Sequence, residues 1–144
     1  MRAILFAAFA LAACASPAGG GAGPQTPLPQ HIQEDLAQRE AALHEQGVVI
    51  AAINQTADLG QGLRVRPLEV REDSRCPQNA RCVWAGRLRL RVNIEGLGER
   101  EITDDGGVVQ TPHGSVSLVA ISPGPWTDWP EGAKPLYRFG FRRA

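Results

Sequence analysis

In Arg87-Leu88-Arg89-Leu90-Arg91-Val92-Asn93-Ile94 every second residue is apolar. A strict period of two suits a strand with one face buried and one in water, and no helix tolerates it. Tyr137, Phe139 and Phe141 alternate in the same way. The same reading gives candidate strands over 48–53, 63–70, 86–94, 99–103, 108–111, 115–121 and 136–143. Gly96-Leu97-Gly98 and Asp104-Asp105-Gly106-Gly107 are the turn residues of hairpins, where positive φ is needed. About seven short strands with frequent turns predict an all-β domain, an antiparallel β-sandwich or small barrel. Leu63 and Val65 have odd numbers and Leu68 and Val70 even ones, so the inward face switches near Pro67. That predicts a bulge there, at an edge or corner, because Pro67 has no N–H for a ladder.

The sequence before residue 48 has a different character. Met1-Arg2 is followed by eleven apolar residues, Ala3 to Ala13, and then Cys14. This run is far short of the ~20 residues that span a bilayer. Leu11-Ala12-Ala13-Cys14 resembles the lipobox of bacterial lipoproteins, with residues 1–13 as the signal peptide. The resemblance implies cleavage before Cys14 and its acylation, which makes membrane lipid the first partner of the chain. Ala15, where Asp would favour inner-membrane retention, points to the periplasmic face of the outer membrane in a diderm cell. The competing reading is a plain secretory signal beside an unrelated cysteine. Residues 14–30, rich in Gly and Pro, read as a tether. Residues 31–47 predict one helix outside the sheet, with Ile32, Leu36 and Leu43 on a thin apolar face that packs loosely or frays, Glu34 and Asp35 in the first turn and Gly47 as the C-terminal cap. The β-domain is then 48–144.

The formal net charge is zero, which disfavours a nucleic-acid partner. Arg64, Arg66, Arg87, Arg89 and Arg91 are placed to share one sheet face. They form either an anion-binding stripe or a solvated face paired with residues such as Glu99 and Glu101. With Cys14 acylated, Cys76 and Cys82 have only each other to pair with, and an exported compartment is oxidising. A metal site is the competing reading, and C-x5-C without a nearby His fits it poorly.

Residues 72–86, Glu-Asp-Ser-Arg-Cys-Pro-Gln-Asn-Ala-Arg-Cys-Val-Trp-Ala-Gly, with the strands beside them, are similar to a family of bacterial exported proteins and lipoproteins that share this core motif. The similarity runs from about Gln55 to the C-terminus. It implies export, a local disulfide and a β-sandwich-like domain, and brings no activity or catalytic residue with it. Read from the residues, Asp73 and Ser74 initiate a turn and Pro77 stiffens the loop. Val83 and Trp84 re-enter the sheet with Trp84 packed by the disulfide, and Ala85-Gly86 leave room for a neighbouring backbone. The segment is either a stapled corner or a functional loop that uses Asp73, Arg75 and Arg81 as polar contacts.

Catalytic motifs are missing from the sequence. His31, His44 and His113 are scattered, and no H-x-x-x-H, G-x-S-x-G or P-loop pattern occurs. No enzyme, cofactor or metal is expected. Two classes remain: a binding module for an envelope protein or glycan, such as an inhibitor of an envelope hydrolase, and a structural envelope component. The strongest candidate contact is Ser122–Pro135, fourteen residues with four prolines. Most hairpin loops have only ~2–5. Trp126 and Trp129 offer flat faces there, and Asp128 and Glu131 offer acceptors. The alternative is that both rings fold back to cap the core.

Overall fold

Leu88, Leu90, Val92 and Ile94 are fully buried on one face of a single strand, as the alternation requires. The computed structural model describes residues 26–144, so the signal peptide, Cys14 and most of the tether lie outside the described residues. Helix α1 (Gln30–Leu43) is followed by β1 (Val48–Ala52), β2 (Ala57–Asp58), β3 (Arg64–Asp73), β4 (Leu88–Ile94), β5 (Gly98–Thr103), β6 (Val108–Thr111), β7 (Gly114–Ser122) and β8 (Arg138–Arg143). Two four-stranded sheets form, in the orders β1-β8-β7-β6 and β2-β3-β4-β5. Every pairing is antiparallel. The domain is an antiparallel β-sandwich with one N-terminal helix. The seven candidate strands overlap seven of the eight. The eighth, β2, has two residues, too few to show any alternation.

The core fills the space between the sheets. Leu63, Val65 and the four apolar residues of β4 meet Val116, Leu118, Phe139 and Phe141 from the other side. Register shifts interrupt both sheets, two in β3, at Leu68 and Arg71, and one in β7. In β3, Pro67 pairs with Val92 and Glu69 with Arg91, which leaves Leu68 as the extra residue. This is the bulge that the parity switch predicts. Because β2 reaches only as far as Val65, Pro67 has no partner strand on that side; it is buried, and its carbonyl accepts the Asn54 N–H (2.7 Å) from the chain that leads into β2. In β7 the shift lies between Leu118 and Ala120, so Leu118 and Ile121 both face the core.

Helix α1 covers the outer face of the sheet that contains β7 and β8. Ile32 and Leu43 are fully buried, so the helix docks more firmly than its thin apolar face suggested. Small residues beneath it allow this approach. A Cβ added at Gly140 would lie 2.7 Å from Val48 Cγ1, 2.9 Å from Ala120 Cβ and 3.3 Å from Leu43 Cδ2. The helix boundaries differ from the expectation. It begins at Gln30 and has no acidic residue in its first turn, so Glu34 and Asp35 fall one turn later. It ends at Leu43 with His44 as cap, and Gly47 (φ +81°) turns the chain into β1 instead.

The arginines on the outer face of the second sheet are largely neutralised. Arg89 pairs with Glu101 (2.7 Å) and Glu72 (3.2 Å), Arg91 with Glu69 (3.2 Å) and Glu99 (3.4 Å), and Arg64 with Asp58 (3.1 Å) and Glu95 (3.2 Å). Exposed pairs of this kind add little stability, on the order of 0–1 kcal/mol each. They neutralise three of the five arginines of the stripe, whereas Arg66 and Arg87 make no ion pair among the described residues.

Candidate functional site

Two loops and the first half of α1 come together at one end of the sandwich. The first loop, residues 74–87, joins β3 to β4 and is closed by the Cys76–Cys82 disulfide (Cα–Cα 5.8 Å). Its base continues the strand pairing. Ser74 N–H donates to Arg87 O (2.9 Å) and Cys76 N–H to Ala85 O (2.9 Å). Gly86 (φ +65°) must be glycine, because a Cβ there would lie 1.7 Å from Ser74 O.

Val83 and Trp84 correct the expectation that they re-enter the sheet. They are 90% and 83% exposed, and β4 begins only at Leu88. The last sheet pair is Asp73 with Leu88. Beyond it the stapled loop runs on as a ribbon, with neither residue covered by the opposite sheet.

The second loop, residues 123–137, is clasped to the first. Gln78 N–H donates to Pro125 O (2.9 Å). Asn79 Nδ2 donates to Thr127 Oγ1 (2.8 Å) and Asp128 Oδ1 (3.0 Å), and Thr127 N–H returns a bond to Asn79 Oδ1 (3.3 Å). Helix α1 completes the junction. His31 Nε2 lies 2.8 Å from Asp128 Oδ2, and the His31 ring lies 4.7 Å from that of Trp126. Asp35, only 7% exposed, accepts from Arg39 Nε (2.8 and 2.9 Å) and from Gln78 Nε2 (2.9 Å). Trp126 and Trp129 are half-buried, with their Nε1 atoms turned out of solvent, while Glu131 and Arg81 are exposed.

Asp73 and Arg75 hold each other. Arg75 Nε and Nη2 donate to the two Asp73 carboxylate oxygens (both 2.8 Å), and Tyr137 Oη donates to Asp73 Oδ2 (2.6 Å). The two charged side chains are 17% and 10% exposed. Burial works to raise the Asp73 pKa, but the bonds from Arg75 and Tyr137 outweigh it and hold the carboxyl below its ordinary value. Burial, then the Asp73 hydrogen bond, pushes Tyr137 up to about 12.

Between these loops, α1 and β7 lies a cleft of about 390 Å³, lined in part by Arg39, Arg75, Gln78 and Asp104. Its wall includes four consecutive residues of β7, Leu118 to Ile121. Consecutive strand residues point to opposite faces, so a wall made from all four is the edge of the strand. That edge has no partner strand because β6 stops pairing at Ser117, while β8 continues on the other side to Ser122; Val119 is exposed there, whereas Leu118, Ala120 and Ile121 are buried. Arg39 Nη1 donates to one of its carbonyls, Ile121 O (3.0 Å).

Among the described residues no group of three His, Cys, Asp or Glu is placed to hold a metal ion, and no helix is long and apolar enough to cross a membrane. Arg39, Gln78 and Asn79 are site residues that the sequence did not mark, and Asp35 stood out there only as an acid of the helix. The i,i+4 spacing of Asp35 and Arg39 signals their pairing, whereas nothing local signals Gln78 or Asn79. Comparison with protein-family models, curated proteins and solved structures finds no match for the chain.

Proposed function

We propose that this chain is an envelope lipoprotein, held through acylated Cys14, whose β-sandwich is a non-enzymatic interaction module for an extended segment of a partner protein. The observation that carries the reading is the stretch of β7 along the cleft, Leu118 to Ile121, which has no partner strand beyond Ser117 and exposes Val119 (41%). An extended segment laid there adds a strand beside β7, a recurrent mode of peptide recognition in which backbone bonds supply affinity and flanking side chains supply selectivity. Arg39 and Gln78 rim the cleft and are held in place by Asp35, so the rim is preorganised. Leu11-Ala12-Ala13-Cys14 supports the anchor, and Ala15 supports the periplasmic face of the outer membrane.

The test places a photo-crosslinking amino acid at Val119 in the full chain within its native envelope, with Gln110 as control. A discrete adduct to a protein at Val119, absent at Gln110, is expected. No adduct, or the same adducts at both positions, refutes the reading.

A further inference from the structure

Val83, Trp84 and Leu136 are the most exposed large apolar side chains of the described residues, at 83–90%. Scattered single apolar residues on a surface are ordinary. These three lie on the two clasped loops. Leu136 adjoins Tyr137, whose hydroxyl is bonded to Asp73 at the base of the stapled loop that carries Val83 and Trp84. Arg81 and Lys134 lie on the same loops and make no ion pair among the described residues, although Lys134 Nζ lies 5.3 Å from the centre of the Tyr137 ring. They outnumber Glu131, the acidic residue there without one.

The chain enters the domain at this same end. Helix α1 begins at Gln30, and His31 sits against Trp126 and Asp128 of the second loop. Fifteen residues separate Cys14 from Gln30, and a Gly- and Pro-rich stretch of that length reaches roughly 20 Å. An anchor at Cys14 therefore keeps this end of the sandwich within roughly 20 Å of the lipid.

We propose that Val83, Trp84 and Leu136 dock into the headgroup region of the membrane that anchors the chain, with Arg81 and Lys134 toward lipid phosphates. The proposal rests on the anchoring reading. An indole with an apolar body and a polar N–H is suited to the membrane–water interface, and basic side chains reach headgroup phosphates from the same depth. The Cys76–Ala85 and Ser74–Arg87 backbone bonds fix the stretch that carries Val83 and Trp84, both already exposed. The domain is then held in one orientation, with its loops on the lipid.

The test uses the full acylated chain in vesicles of phosphatidylethanolamine and phosphatidylglycerol. The difference between wild type and Trp84→Phe isolates the signal of Trp84. On vesicles that signal is expected to shift to the blue, lose most of its quenching by aqueous iodide and gain quenching by brominated lipid. Val83→Asp with Leu136→Asp is expected to restore iodide access while far-ultraviolet circular dichroism stays unchanged. The mass of the N-terminal peptide from the same sample reports acylation separately. If the peptide is acylated and Trp84 stays open to iodide, docking is overturned and the anchor stands. If the peptide carries no acyl chain, the anchor fails, and brominated-lipid quenching of Trp84 in Cys14→Ser at excess vesicles decides docking alone. Protection of Trp84 that appears equally without lipid marks a second copy as the occupant and overturns the proposal.

Discussion

Tyr137 Oη and Asp73 Oδ2, 64 residues apart in sequence, meet at 2.6 Å and tie the approach to the last strand to the base of the stapled loop. The contact works only while Asp73 is ionised and Tyr137 is protonated. Asp73 has its pKa lowered in the fold, so its contribution is present above the ordinary value of 3.8 and is lost as pH falls below it. Tyr137 is raised from 10.0 to about 12, so its contribution is full below pH 10 and is lost as pH rises through 12. Tyr137→Phe is expected to cost about 1 kcal/mol near neutrality, as befits a partly exposed hydrogen bond to a charged group. The stability gap between wild type and variant, followed by urea denaturation, should close at both pH extremes. A gap that is constant with pH would refute this.

The Cys76–Cys82 bridge closes a short loop, so chain entropy sets its worth at roughly 2–2.5 kcal/mol. Replacing both cysteines with Ala is expected to lower the unfolding free energy by that amount without disturbing the sandwich core. Equal urea midpoints for oxidised wild type and the double variant would count against it.

Gly140 is placed under α1 because no Cβ fits there. Gly140→Ala puts a methyl 2.7 Å from Val48 Cγ1 and is expected to destabilise by about 1–3 kcal/mol through overpacking. Adding Val48→Ala removes the nearest clashing atom and should recover part of that loss. A double-mutant cycle with no coupling between the two positions would refute Val48 as the residue that excludes a Cβ at Gly140.

Acylation at Cys14 has a direct readout. Labelled palmitate is expected to enter the wild-type chain and to be absent from Cys14→Ser, with the variant left unprocessed or released from membranes. Palmitate in both chains, or in neither, contradicts the lipobox reading.

Alternation along the chain is a local property, and it decided which side chains face inward. Leu88 to Ile94, Phe139 and Phe141 were legible for that reason, as was the bulge at Leu68, because the parity of Leu63 and Val65 conflicts with that of Val70. Ala57–Asp58 was not legible, since two residues carry no period. The candidate residues around Cys76 and Trp126 could be picked out by type, but their partners could not. Asp73 and Arg75 satisfy each other, and Asp128 is taken by Asn79 and His31, through contacts that span up to 97 residues.

The residues alone determined a two-sided β-domain behind a helix, with a cysteine pair that closes a local loop. The sheet order β1-β8-β7-β6 and the meeting of two loops with α1 were decided only in three dimensions. They set the unpaired edge of β7, the burial of Asp35 and the exposure of Trp84. Whether a side chain is covered depends on what packs across from it. For Trp84 that depends on where the opposite sheet stops, and no pattern within its own segment encodes that limit.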